Sequence, residues 1–129
     1  MKLSEYFASK KGTGVLSTAD ATGMVDAALY GRPHFINEEE DQVAFIMADK
    51  TSHANLQTNP SAVYLFKEND SYEGWRLYLT RTSEEKNSPL IDELRRSKHS
   101  SEYSAGDAGS KFLVYFKVDK VRPLIGDSI

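Results

Sequence analysis

The sequence predicts a mainly β fold with short helices: a six-stranded, mostly antiparallel sheet able to close into a barrel, with two or three helices at its periphery. Three observations predict it. Apolar runs are short and several alternate in period two, as in Trp75-Arg76-Leu77-Tyr78-Leu79-Thr80-Arg81. Corners between runs carry hairpin chemistry, as at Asp20-Ala21-Thr22-Gly23. Helix-compatible stretches are few and short, each bounded by a cap, a glycine or a proline. At 129 residues, 40% of them hydrophobic and 11% aromatic, the chain makes one packed domain over residues 1–129, with no repeat and no linker.

Taken in order, Ser4 is a candidate N-cap for a short helix through Tyr6 and Phe7, ending before Gly12 and Gly14 and plugging one end of the barrel. Val15 to Ala19 and Met24 to Tyr30 form the first hairpin, and Gly31-Arg32-Pro33 marks a bulge or bend in its second strand. The acids of Asn37-Glu38-Glu39-Glu40-Asp41 diverge at a solvated hairpin tip, which does not suit a metal. Val43 to Ala48 is the third strand. After the corner Asp49-Lys50-Thr51-Ser52, His53 to Thr58 reads as a helix stopped by Asn59-Pro60, and Ala62 to Phe66 returns as a strand. Trp75 to Arg81 is the fifth strand, bulky on both faces. Ser88-Pro89 starts a helix whose buried stripe is Leu90, Ile91 and Leu94, as far as Lys98. Residues 100–110 are small and polar and read as a mobile loop, before a final strand from Phe112 to Val118.

Bulk composition narrows the functions. Sixteen basic and 19 acidic residues are mixed along the chain for a net charge of −3, so no basic stripe favours nucleic acid. Without cysteine there is neither a thiolate nucleophile nor a cysteine metal site. His34, His53 and His99 lack the paired spacing of a zinc motif. No apolar stretch has the length of a membrane span or a signal core, so the cytoplasm is the expected compartment. Nothing resembles a nucleophile elbow, and Glu84-Glu85 read as solvated acids.

The chemistry concentrates at residues 42–66. A strand that delivers a lysine and two hydroxyls (Lys50, Thr51, Ser52) onto the first turn of a helix builds a place for an anion, because free N–H groups and the positive end of the helix dipole point outward there. The expected anion is a cofactor phosphate. The same residues also make an ordinary helix start with a surface lysine, and the motif alone does not separate the two.

The succession of these segments resembles the flavin-binding split β-barrel family of pyridoxamine 5'-phosphate oxidase and its small relatives. The likeness rests on the first hairpin turn, Pro33-His34-Phe35, the Lys-Thr-Ser corner, Asn55-Leu56, Asn59-Pro60 and the returning strand, with weaker likeness at Trp75 to Thr82 and Phe112 to Leu124. The resemblance implies FMN, with Lys50, Thr51 and Ser52 on its phosphate. The family commonly places a hydroxyl first and a basic residue two positions on. Here lysine comes first and Ser52 takes the later place, leaving His53 or Arg32 as a substitute donor.

It further implies that Ala27, Ala28, Leu29 and Tyr30 lie along the flavin ring, that Ile46, Met47 and Ala48 close the other side of the slot, and that Trp75 and Arg76 reach the ring from the partner chain of a homodimer. The implied activity is that of a small oxidoreductase passing hydride or electrons between bound flavin and a small-molecule redox partner. Authentic pyridoxamine phosphate oxidase activity is not expected, since the resemblance ties it to a longer C-terminal segment bearing arginine and histidine. Two alternatives stay open: a non-catalytic flavin carrier, electron-transfer partner or sensor, and a relative that binds heme or deazaflavin, for which heme would need His34, His53 or His99 as ligand.

Overall fold

A computed structural model describes residues 2–97 and 110–126. The loop expected over residues 100–110 lies, except for Ser110, outside the described residues. Three short helices, α1 (Leu3–Ser9), α2 (Thr51–Thr58) and α3 (Leu90–Ser97), surround seven strands: β1 (Gly12–Ala19), β2 (Val25–Leu29), β3 (His34–Asn37), β4 (Gln42–Ala48), β5 (Ser61–Glu68), β6 (Gly74–Lys86) and β7 (Lys111–Pro123). All pairings are antiparallel, in the order β2-β1-β5-β6-β7-β4-β3. The strand count is seven rather than six. The bend at Gly31-Arg32-Pro33 proves to be a break, after which His34–Asn37 pairs with β4 and not with β1.

That break gives the fold its shape. β2 and β3 are the opposite edges of the sheet, yet only residues 30–33 separate them in the chain. A flat sheet would hold these edges roughly 29 Å apart at about 4.8 Å per strand, whereas five Cα steps reach at most about 19 Å. The sheet must therefore curl until its edges approach, giving a split barrel that is not closed by strand pairing. The seam is fastened by side chains. The Tyr64 phenol lies 3.3 Å from the Tyr30 carbonyl oxygen and 3.1 Å from that of Gly31, and the Tyr30 ring meets Phe45 of β4 at 6.0 Å.

Alternation along each strand fills the barrel. Leu16, Val43, Phe45, Met47, Tyr64, Phe66, Leu77, Leu79, Val114 and Phe116 point inward and are buried, and Phe7 of α1 and Leu56 of α2 join them from the helices. Each such side chain contributes about 1.5–3 kcal/mol through burial. The helix α3 packs on the outside: Ile91, with Leu90 and Leu94 beside it, covers Ala44 and Leu113. Its start follows the sequence expectation, since the Leu90 amide donates to Ser88 Oγ at 3.2 Å. β6 outruns its predicted end at Arg81 because bulges at Tyr78/Leu79 and Arg81/Ser83 let it bend around the barrel and stay paired with β7. Among the described residues no helix is long and apolar enough to cross a membrane.

Candidate functional site

β4 ends at Ala48, and a tight corner, with the Lys50 amide bonded to the Ala48 carbonyl at 2.9 Å, turns the chain into α2. Lys50 is extended (φ −136°) and no side chain caps the helix start, while Lys50 and Thr51 are exposed. First-turn amides and the positive end of the helix dipole therefore open to solvent beside an exposed lysine. Ser52 faces the other way. It is buried and hydrogen-bonded to the phenol of Tyr30, tying α2 to the end of β2; burial pushes that phenol's pKa up, partly offset by the Ser52 bond.

His53 is likewise turned inward. Its ring stacks on Phe112, with centroids 3.7 Å apart and planes 16° from parallel, Nε2 lies 2.8 Å from Glu84 Oε2, and Nδ1 lies 3.5 Å from Asp49 Oδ1. What His53 presents at the corner is its backbone. Arg32, the other substitute donor, gives its guanidinium to the carbonyls of Phe7 and Lys10 and so closes the end of α1. His34 is also buried, and His99 lies outside the described residues.

The reading of Glu84 as a solvated acid is corrected. Its side chain is 17% exposed and accepts from Gln57 and Arg81 as well as meeting His53. Sequence could not show this, because two of the three partners are 27 and 31 residues away in α2. Burial alone would push the Glu84 carboxyl up, but the bonds from His53, Gln57 and Arg81 outweigh it and hold the group below the ordinary glutamate range. A carboxyl with a depressed folded pKa adds stability above its unfolded pKa and loses it as pH falls through the folded value. Denaturation midpoints measured downward from about pH 5 should thus fall more steeply for the wild type than for Glu84→Gln. Parallel curves would show that the α2–β6 clamp holds no pH-dependent energy.

Register settles how the other expected residues are disposed. Residues paired across antiparallel strands share a face, so Leu29, Val15, Leu65, Arg76 and Arg122 form one row across the outer surface. Ala27, Ser17, Val63, Tyr78 and Lys120 form the next. Every residue of these rows is at least partly exposed, as are the flanking Met24 (70%) and Val25 (80%). Ala28 points to the opposite face, the side of Leu16, and the ring of Tyr30 packs against the barrel core. Ile46 and Met47 also part company: Met47 is fully buried in the barrel and Ile46 lies in the cluster with α3, so Ala48 and the backbone are what this strand end offers the corner.

Trp75 and Arg76 lie at the other end of the β5–β6 ladder from α2, since Trp75 pairs with Phe66 while Thr80 pairs with Ser61, just after α2. Trp75 packs inward against Tyr6 and the core. Arg76 points outward and donates to the carbonyls of Pro123 and Gly126. The structure thus brings together Tyr30, Ala48, Lys50, Thr51, Ser52 and His53. It sets Ala27, Leu29 and Arg76 on the outer face, with Trp75 apart.

The sequence matches no family model. No curated protein matches it either. Solved structures do match in fold. An FMN-binding protein from Syntrophomonas wolfei superposes with a TM-score of 0.76 at 21% identity, covering 97% of this chain and 85% of that one. An F420 reductase gives 0.67 at 13% identity over 91% and 94% of the two chains. A pyridoxamine 5'-phosphate oxidase-related, FMN-binding protein from Nostoc punctiforme gives 0.58 at 14% over 86% and 72%. At these identities the likeness establishes a shared split-barrel fold.

Proposed function

We propose that this chain is an FMN-binding flavoprotein, a small oxidoreductase of the pyridoxamine 5'-phosphate oxidase type that acts as a homodimer. The observation that carries the reading is the α2 start, where no side chain caps the helix and Lys50 and Thr51 stand exposed beside it, in a fold shared with FMN-binding proteins. These residues fit a monoester phosphate. Lys50 would supply charge, Thr51 a hydroxyl, and the backbone of Thr51, Ser52 and His53 the amides, all charge-assisted donors. The buried Ser52–Tyr30 bond would hold α2 and β2 at fixed separation, and Ala48 would line the corner.

Bound there, the isoalloxazine ring would supply hydride or electron transfer to a small-molecule partner. The chain's part is then positioning. The outer rows containing Leu29, Val15, Leu65 and Tyr78 combine apolar side chains with incomplete burial, which suits an isologous interface. A second copy seated on this face would shield the ring from water and bring the partner's Arg76 row alongside it.

The test is the spectrum and mass of the purified protein. A flavin spectrum and a two-fold dimer by light scattering are expected. Tyr78→Glu, on the outer face and away from the core, should give monomer and release flavin together. A monomer that retains flavin would overturn the shared site, and a heme or deazaflavin spectrum would replace FMN as the ligand.

A further inference from the structure

At the end of the barrel away from α2, α1, the β5–β6 turn and the residues after β7 border an open cleft of about 310 Å³ that the flavin reading does not use. Its volume lies at the lower end of the range for small-molecule sites. Three aromatic side chains, Tyr6, Tyr72 and Trp75, and two carboxylates, Glu68 and Glu73, line it, with Ile125 at the rim. From these residues we infer that the cleft is a binding site for a small organic cation, an ammonium head on a compact body.

The chemistry points one way. Tyr72 is 76% exposed, an unfavourable setting for a large ring, and it already seats one cation, the chain's own Lys67 ammonium at 5.0 Å from the ring centroid, which a ligand's ammonium would have to displace. Lys67 is anchored from behind by donating to the Glu68 carbonyl oxygen at 2.9 Å. Within the cleft the Tyr6 hydroxyl donates to Glu68 Oε2 at 2.6 Å, which fixes the carboxylate in place. Burial first, then the bond to Glu68 and the charges of Glu68 and Glu73, hold the Tyr6 phenol far above its usual range, so it stays a neutral donor.

Part of the nearby backbone is already paired, since the Glu68 amide donates to Glu73 O, the Leu124 amide to Gly74 O and the Glu73 amide to Ser71 Oγ. The carboxylates and ring faces are the side-chain recognition groups. Gly74 lets the walls come this close, because a Cβ there would overlap the Phe66 carbonyl oxygen. An anion would meet two carboxylates at this surface, while a neutral alcohol would gain neither the Coulomb attraction nor the cation–π contact.

Trp75 is the only tryptophan in the chain, so its emission reports occupancy of the cleft. Titration of the 129-residue chain with choline should give a saturable change in Trp75 emission and a single-site calorimetric isotherm. The neutral isostere 3,3-dimethylbutan-1-ol should give neither. Glu68→Gln keeps an acceptor for Tyr6, and combined with Glu73→Gln it should weaken choline binding about tenfold. Tyr72→Ala should also weaken it, and Tyr72→Phe should not. If the double variant does not fold, exposed Glu73→Gln alone carries the charge test. An equal response to the neutral alcohol, no saturation with choline, or undiminished affinity in the carboxamide variants would overturn the assignment.

Discussion

Riboflavin is expected to bind at least two orders of magnitude more weakly than FMN, the two differing only in the terminal phosphate. At the α2 start a phosphate would take a lysine, a hydroxyl and backbone amides, and charge-assisted bonds are worth about 1.5–3 kcal/mol each. Losing two of them already exceeds about 2.7 kcal/mol, or a hundredfold. Lys50→Ala should then weaken FMN about tenfold while leaving riboflavin unchanged, because in the proposed site the side chain would meet only the phosphate. Thr51→Ala should act in the same direction. Both residues are exposed, so neither change should lower the melting temperature of the flavin-free protein by more than a cap's worth of stability, about 1 kcal/mol. Ser52 is unsuitable for this series, since its hydroxyl is bonded to Tyr30 and its removal would disturb the seam as well. Equal affinities for the two flavins would end the phosphate assignment and return the corner to an ordinary helix start.

What the sequence made legible was local. Period-two alternation at Trp75 to Arg81 put Trp75, Leu77 and Leu79 on one face, and they do point inward together. The strand–corner–helix at residues 43–58 was readable because a lysine and two hydroxyls before an Asn-Pro stop are adjacent in the chain. Long-range pairing was not readable. A bend at Gly31-Arg32-Pro33 and a jump between opposite sheet edges look alike in sequence, since both need only glycine, proline and a few residues of chain. The row Leu29, Val15, Leu65, Arg76 exists only once the registers of three ladders are known. Glu84 misled for a related reason: in a run of charged residues, burial of one is decided by a histidine 31 positions earlier.

Gly14→Ala should strongly destabilise the barrel, and the reason lies at the seam. A Cβ at Gly14 would overlap the Tyr64 hydroxyl oxygen, sit 2.5 Å from Tyr64 Cζ and lie 2.7 Å from the Tyr30 carbonyl oxygen. Neither neighbour can yield easily. Tyr64 is fully buried, and Tyr30 is fixed by its amide bond to Gly14 O and by its link to Ser52. Overpacking of this kind costs about 3 kcal/mol or more, a fall in melting temperature on the order of 10 °C or more for a domain this size. Tyr64→Phe alone should cost about 1–3 kcal/mol, because it leaves the Tyr30 and Gly31 carbonyls without that donor. The two changes together should cost less than their sum: once the hydroxyl is gone, the sharpest overlap is gone with it, although Cζ and the Tyr30 oxygen still crowd the methyl. Strict additivity would mean that Gly14 matters for some reason other than its approach to Tyr64. Because Tyr30 carries the strain directly to Ser52, the Gly14→Ala protein should also lose flavin at temperatures where it remains folded, coupling the closing of the barrel to the site beside it.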